Sequence, residues 1–142
     1  MNRGFQCSAL DARFRFTGPR LKSLMVAGAV LAAVAVGAGA FGAHALAARL
    51  PPERLATWET AARYHMYGAL SVVLVALARS RFQSSLLSAA GWALVTGTLI
   101  FGGTVYALAL GGPRWLGAVT PLGGLGLIIG WVMVAVAVWR AV

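Results

Sequence analysis

Two histidines, His44 and His65, the glutamate Glu59 between them, and the phenols Tyr64 and Tyr106 are the residues whose types could carry acid–base or ligand chemistry. An imidazole working with a phenol can act as base and acid, and imidazoles with a carboxylate can begin a metal site. Neither constellation is complete. A catalytic zinc takes three protein ligands with an open position, and no HExxH or comparable pair occurs. No Ser-His-Asp set or Walker loop is present, and Gly37-x-Gly39-x-x-Gly42 matches the dinucleotide fingerprint only as a string, inside an apolar run with no preceding strand. The one cysteine, Cys7, can form neither an internal disulfide nor a CxxC pair. The sequence therefore predicts no catalytic residue, no metal and no cofactor. It leaves His44, Glu59, Tyr64, His65, Tyr106 and Thr120 as a candidate polar site. Thr120 enters as the expected N-cap of a helix with Pro121 at its first position, whose free N–H groups would face an anion such as a lipid phosphate. A plainly capped helix, with Gly123 and Gly124 allowing close approach of a neighbour, is the preferred reading of that start.

The elements that must position these residues follow from composition. Of 142 residues 60% are hydrophobic and 11% charged, where a soluble domain carries roughly 25% charge. An all-α integral membrane bundle of four transmembrane helices is expected. The first uncharged run, 24–48, is about 37 Å long as a helix against a hydrocarbon core of about 30 Å. It is also longer than the apolar region of a cleaved secretory signal. Pro51-Pro52 breaks it, and spans of about 55–78, 86–110 and 120–139 follow, separated by Arg79-Ser80-Arg81 and by Gly111-Gly112-Pro113-Arg114. Residues 1–23 form a basic arm, giving two regions: the arm and a transmembrane domain over 24–140. The net charge of +9 is spread through the gaps between apolar runs and not along a stripe, which excludes nucleic-acid binding. Eight Lys and Arg flank one side of the spans against four on the other, so both termini are expected in the cytoplasm.

With this topology His44, His65, Tyr64, Tyr106 and Thr120 converge on one side of the membrane. Interfacial His and Tyr usually anchor a bundle there through hydrogen bonds between helices. Small residues should supply the packing: Ala35, Gly39 and Ala43 on the first helix, Gly123 and Gly124 on the fourth, and the GxxxG of Gly126 and Gly130. Internal packing is preferred over dimerisation as the reading of these. Trp131 lies about 16 Å into the fourth span, too deep for an interfacial belt, and is expected to face the bundle interior.

The blocks Gly39-Ala40-Phe41-Gly42-Ala43-His44, Tyr64-His65-Met66-Tyr67, Phe101-Gly102-Gly103-Thr104-Val105-Tyr106 and Thr120-Pro121-Leu122-Gly123-Gly124, with Gly130-Trp131, resemble in order and spacing domain-of-unknown-function family 423, the transmembrane protein 256 family. The resemblance covers about residues 24–140 and implies a four-helix protein of bacterial plasma membranes, with no assigned activity. It also implies a His at the position of Gly68 and a Ser at that of Gly102, from both of which this chain departs. The expected role is a structural, lipid-binding or accessory membrane subunit. Its expected partners are membrane lipids and a membrane subunit, either a second copy or another protein. The alternatives are a proton- or solute-conducting module using His44 and His65, and an enzyme acting on lipid, which lacks a nucleophile. In a eukaryote the acid-poor arm would read as a transit peptide and the site as the mitochondrial inner membrane.

Overall fold

The computed structural model describes residues 19–141, and these form four helices: α1 (Pro19–Phe41), α2 (Pro52–Arg81), α3 (Ser85–Ala109) and α4 (Leu116–Trp139). A π-helical segment, Gly42–Leu46, continues α1. All four are long and apolar enough to cross a membrane, and no strand occurs among the described residues. Residues 1–18 of the expected arm lie outside them, and α1 starts at Pro19, five residues ahead of the expected span.

The helix ends have local causes. Pro51 is extended (φ −63°, ψ 153°) and Pro52 opens α2 where its missing N–H is no loss, with Glu53 in the first turn. α3 ends in a Schellman turn: Gly112 N donates to Ala107 O at 2.8 Å and Gly111 N to Leu108 O at 3.0 Å, with Gly111 at φ +90°, where a side chain would be strained. The fourth helix starts four residues before the expected Thr120, because Leu116, Gly117 and Ala118 donate to Pro113, Arg114 and Trp115 at 2.9–3.1 Å and wind the chain into helix early. Thr120 is therefore not an N-cap, and the free donors expected there are absent. Pro121 sits inside the helix.

Consecutive helices are antiparallel and packed in sequence order. Leu24 of α1 lies opposite Val75 and Gly91 at one end, and Gly42 lies opposite Trp58 at the other. Gly68 of α2 meets Thr98 of α3, while Gly97, Leu94 and Phe101 of α3 meet Gly126, Gly130 and Gly123 of α4. Main packing contacts join α1 to α2, α2 to α3 and α3 to α4, so the helices form an open row with α2 and α3 in the middle. Half of α3's apolar window is buried but only 17% of α4's. At the end holding the start of α1, the end of α4 and the α2–α3 turn, a core of Leu21, Leu24, Val72, Val75, Leu87, Leu94 and Ala137 draws on all four helices. At the opposite end, that of the α1–α2 and α3–α4 connections, a smaller core of Leu46, Trp58 and Ala109 with Tyr106 draws on α1, α2 and α3 alone.

Three expected packing residues face elsewhere. Gly39 and Ala43 are exposed, and nothing lies within 4 Å of a Cβ built on Gly39. A strict four-residue step drifts about 40° per step around a helix. The buried stripe of α1 instead runs Leu24, Gly28, Leu31, Ala35, then Gly42 and Leu46. Trp131 is also not interior: it is 48% exposed. Gly130 takes the inward place, where a Cβ would already stand 2.7 Å from Leu94 Cδ2, which leaves no room for an indole.

Candidate functional site

Buried residues of α2 form one helical stripe: Trp58, Ala61, His65, Gly68, Ala69, Ser71, Val72, Val75 and Ala76. Thirty residues make α2 about 45 Å long, some 15 Å more than a hydrocarbon core. Glu59 and Arg63 are exposed towards the connection end. The surplus belongs at that end, and Tyr64 and His65 then mark the entry into the apolar layer.

His65 is only 6% exposed. Tyr106 of α3 brings its hydroxyl to 3.4 Å from His65 Nδ1, a long hydrogen bond, with the rings 6.0 Å apart. Trp58 also packs on Tyr106, its ring tilted by 53° at a centroid distance of 4.5 Å. Its Nε1 donates to Ala38 O of α1 at 2.8 Å. One aromatic and imidazole column thus ties three helices together. Gly42 explains its own place in the GAFGAH block, since a Cβ there would lie 2.7 Å from Trp58 Cδ1. Beside the column, Thr120 Oγ1 donates to Thr104 Oγ1 at 2.9 Å and joins α4 to α3. Tyr64 packs on Phe101 at 5.2 Å and on Tyr67 at 5.8 Å.

The structure brings together His65 and Tyr106 of the expected polar site, and leaves the others apart. His44 is exposed on the π-helical segment and Glu59 is exposed on α2, both outside this column. Among the described residues no group of three His, Cys, Asp or Glu side chains comes together to hold a metal. His65 Nε2 is buried with no hydrogen-bond partner. An imidazole this buried, with one phenol in reach, is placed to hold α2 and α3 together. At Gly68, where the resemblance implies a histidine, a Cβ would run into the Thr98 side chain. At Gly102, where it implies a serine, a Cβ would make ordinary contact with Tyr106 and His65 at 3.7–3.9 Å.

Sequence reasoning did not single out Trp58, which is 8% exposed. Its register was the available signal, since it stands seven residues, two turns, before His65 on the same stripe. It also missed a groove between α2 and α4 of about 390 Å³, lined by Tyr64, Tyr67, Gly68, Ser71, Leu127, Ile128, Trp131 and Val132. The groove exists because α4 leans on α3 alone at this level, and Trp131 forms part of its wall.

Comparison with known proteins adds the following. The profile of a family described as protein of unknown function (DUF423) matches residues 38–124. The UPF0382 membrane protein YwdK of Bacillus subtilis is 41% identical over 118 residues, 82% of this chain and 96% of its own. A UPF0382 membrane protein of Staphylococcus epidermidis is 42% identical over 117 residues, 82% of this chain and 95% of its own. One from Staphylococcus haemolyticus is 38% identical over 122 residues, 86% and 99%. No solved structure matches the chain.

Proposed function

Because the chain belongs to the DUF423 family, whose relatives are bacterial membrane proteins, we propose that it is a non-enzymatic plasma-membrane protein that holds a membrane lipid in the groove between α2 and α4. The observation that carries this reading is the groove itself. Its volume of about 390 Å³ falls in the range of small-molecule sites, and its walls are aliphatic and aromatic with Tyr64, Tyr67, Ser71 and Trp131 as the few polar-bearing side chains. It opens on the lipid-facing side of four membrane-spanning helices, so an acyl chain is the molecule that meets it. Tyr64 and Tyr67 stand at the connection end, where a headgroup begins. The reading keeps both termini in the cytoplasm, supported by the excess of Lys and Arg on that side of the spans. The conducting alternative gains no support from geometry, since exposed His44 and buried His65 form no relay.

Native mass spectrometry of the full chain released from mild detergent tests the proposal and reads subunit number in the same spectrum. The expected result is retained lipid that falls about tenfold in Val132→Trp, which fills the groove from a residue 57% exposed and outside the core. A bare chain, or equal retention in the variant, would refute it.

A further inference from the structure

The helical face that buries Val72, Val75 and Ala76 carries the half-buried Arg79 seven, four and three residues further on. An arginine thus occupies the place where packing calls for an apolar side chain. Its Nε and Nη1 are sealed from the surroundings and have no hydrogen-bond partner. With His65 Nε2 they are the buried, unpartnered side-chain nitrogens of the described residues, and both side chains lie on this one stripe.

No carboxylate among the described residues can answer this charge. Glu53 and Glu59 precede Arg79 by 26 and 20 residues on the same helix, about 39 and 30 Å away at its opposite end. The surroundings at the near end are further cations: Lys22 at the start of α1, Arg81 in the last turn of α2 and Arg140 at the end of α4, each exposed. Two guanidinium nitrogens held from water with no acceptor and no counter-charge are costly, and a planar fork of donors matches phosphate oxygens in particular. The position adds the source. Arg79 lies at the last turn of a membrane-spanning helix, at headgroup depth, within a rim of like charge that attracts anionic lipid.

We propose that Arg79 is the anchor of a phosphate site for anionic phospholipid at the terminal end of the bundle, with Lys22, Arg81 and Arg140 supplying attraction around it. This site is separate from the groove, at the other end of α2, and takes the headgroup where the groove takes a chain. A phosphate arriving from the headgroup layer draws the fork outward and supplies the acceptors that Nε and Nη1 lack.

The test uses the full chain in uncharged detergent, titrated with phosphatidylglycerol, with phosphatidylcholine and with inorganic phosphate, and read as bound adducts by native mass spectrometry and as a shift in Tm. The unsubstituted chain should bind phosphatidylglycerol at least tenfold more tightly than phosphatidylcholine. Arg79→Gln should remove that preference, Arg79→Lys should keep part of it, and Arg81→Gln, an exposed neighbour, should lower it by less than threefold. Val132→Trp should leave it intact, which separates this site from the groove whichever of the two fails. Equal binding of both lipids by the unsubstituted chain would overturn the proposal even if Arg79 variants do not fold. Saturation by inorganic phosphate with no added effect of phosphatidylglycerol would overturn the lipid source, and an unchanged preference in Arg79→Gln would overturn the residue.

Discussion

Gly97→Ala puts the α3–α4 interface to a quantitative test. A Cβ at Gly97 would stand 2.8 Å from Leu127 N, 2.9 Å from Gly123 O and 3.0 Å from Gly126 C. All three are backbone atoms, so no rotamer can yield, and relief requires α4 to move away from α3. Overpacking of this kind costs about 1–3 kcal/mol, while the alanine returns at most about 1 kcal/mol of helix propensity. With the full propensity gain subtracted, the net expectation is a loss of up to about 2 kcal/mol. Gly103 lies on the same helix and Gly39 on α1, and a Cβ at either meets nothing within 4 Å. There only the propensity gain remains, so Gly103→Ala and Gly39→Ala should be unchanged or up to about 1 kcal/mol more stable. Reversible unfolding in mixed detergent and SDS, followed by tryptophan fluorescence, ranks the three variants. If Gly97→Ala is as stable as Gly103→Ala, the account of α3 and α4 as held by backbone approach at glycine is wrong.

Other outcomes follow from single contacts. The Thr104–Thr120 hydrogen bond should show a coupling of about 0.6 kcal/mol, and no more than about 1.7, in a double-mutant cycle with valine at each position, measured by the same unfolding. Zero coupling would remove it as a link between α3 and α4. Gly102→Ser should raise stability by about 1 kcal/mol, with Gly102→Ala raising it less, because the hydroxyl has ordinary room beside His65, whose Nε2 has no hydrogen-bond partner. A loss in thermal unfolding would show that the space beside His65 is already filled. In a Cys7→Ser background, Pro113→Cys, at an exposed position of the α3–α4 connection, should react with an impermeant maleimide in intact cells. Protection there would reverse the proposed orientation.

Four spans were legible because uncharged runs longer than 20 residues have few other uses, and Pro51-Pro52 and Gly111 mark their ends chemically. The start of α4 was not, since Thr-Pro is a strong opening signal and the three turn bonds that wind Pro113 to Ala118 early are made by backbone alone. Gly123, Gly126 and Gly130 sit against α3, whereas Gly39 and Ala43 do not sit against α2, and composition cannot separate the two cases. In a membrane the outside is as apolar as the inside, so the contrast that reveals a buried face in a soluble helix is missing. Polar residues keep that contrast. His65 and Tyr106 were recognisable by type and depth, while pairing His65 with Tyr106 and not with His44 depended on helix rotation, which spacing fixes only when the buried stripe is already known.

The open row in which each helix leans mainly on its sequence neighbours has a consequence for biogenesis. α1 and α2 can dock as soon as the second span leaves the insertion machinery, α3 can add to α2 next, and α4 needs only α3. Contacts between spans far apart in the chain are few, so little loop-closure entropy has to be met before packing begins, and assembly can proceed vectorially from the N-terminus. The last helix inserted then finds its partner already in place, and the close approach of Gly97 to Gly123 and Gly126 completes the row.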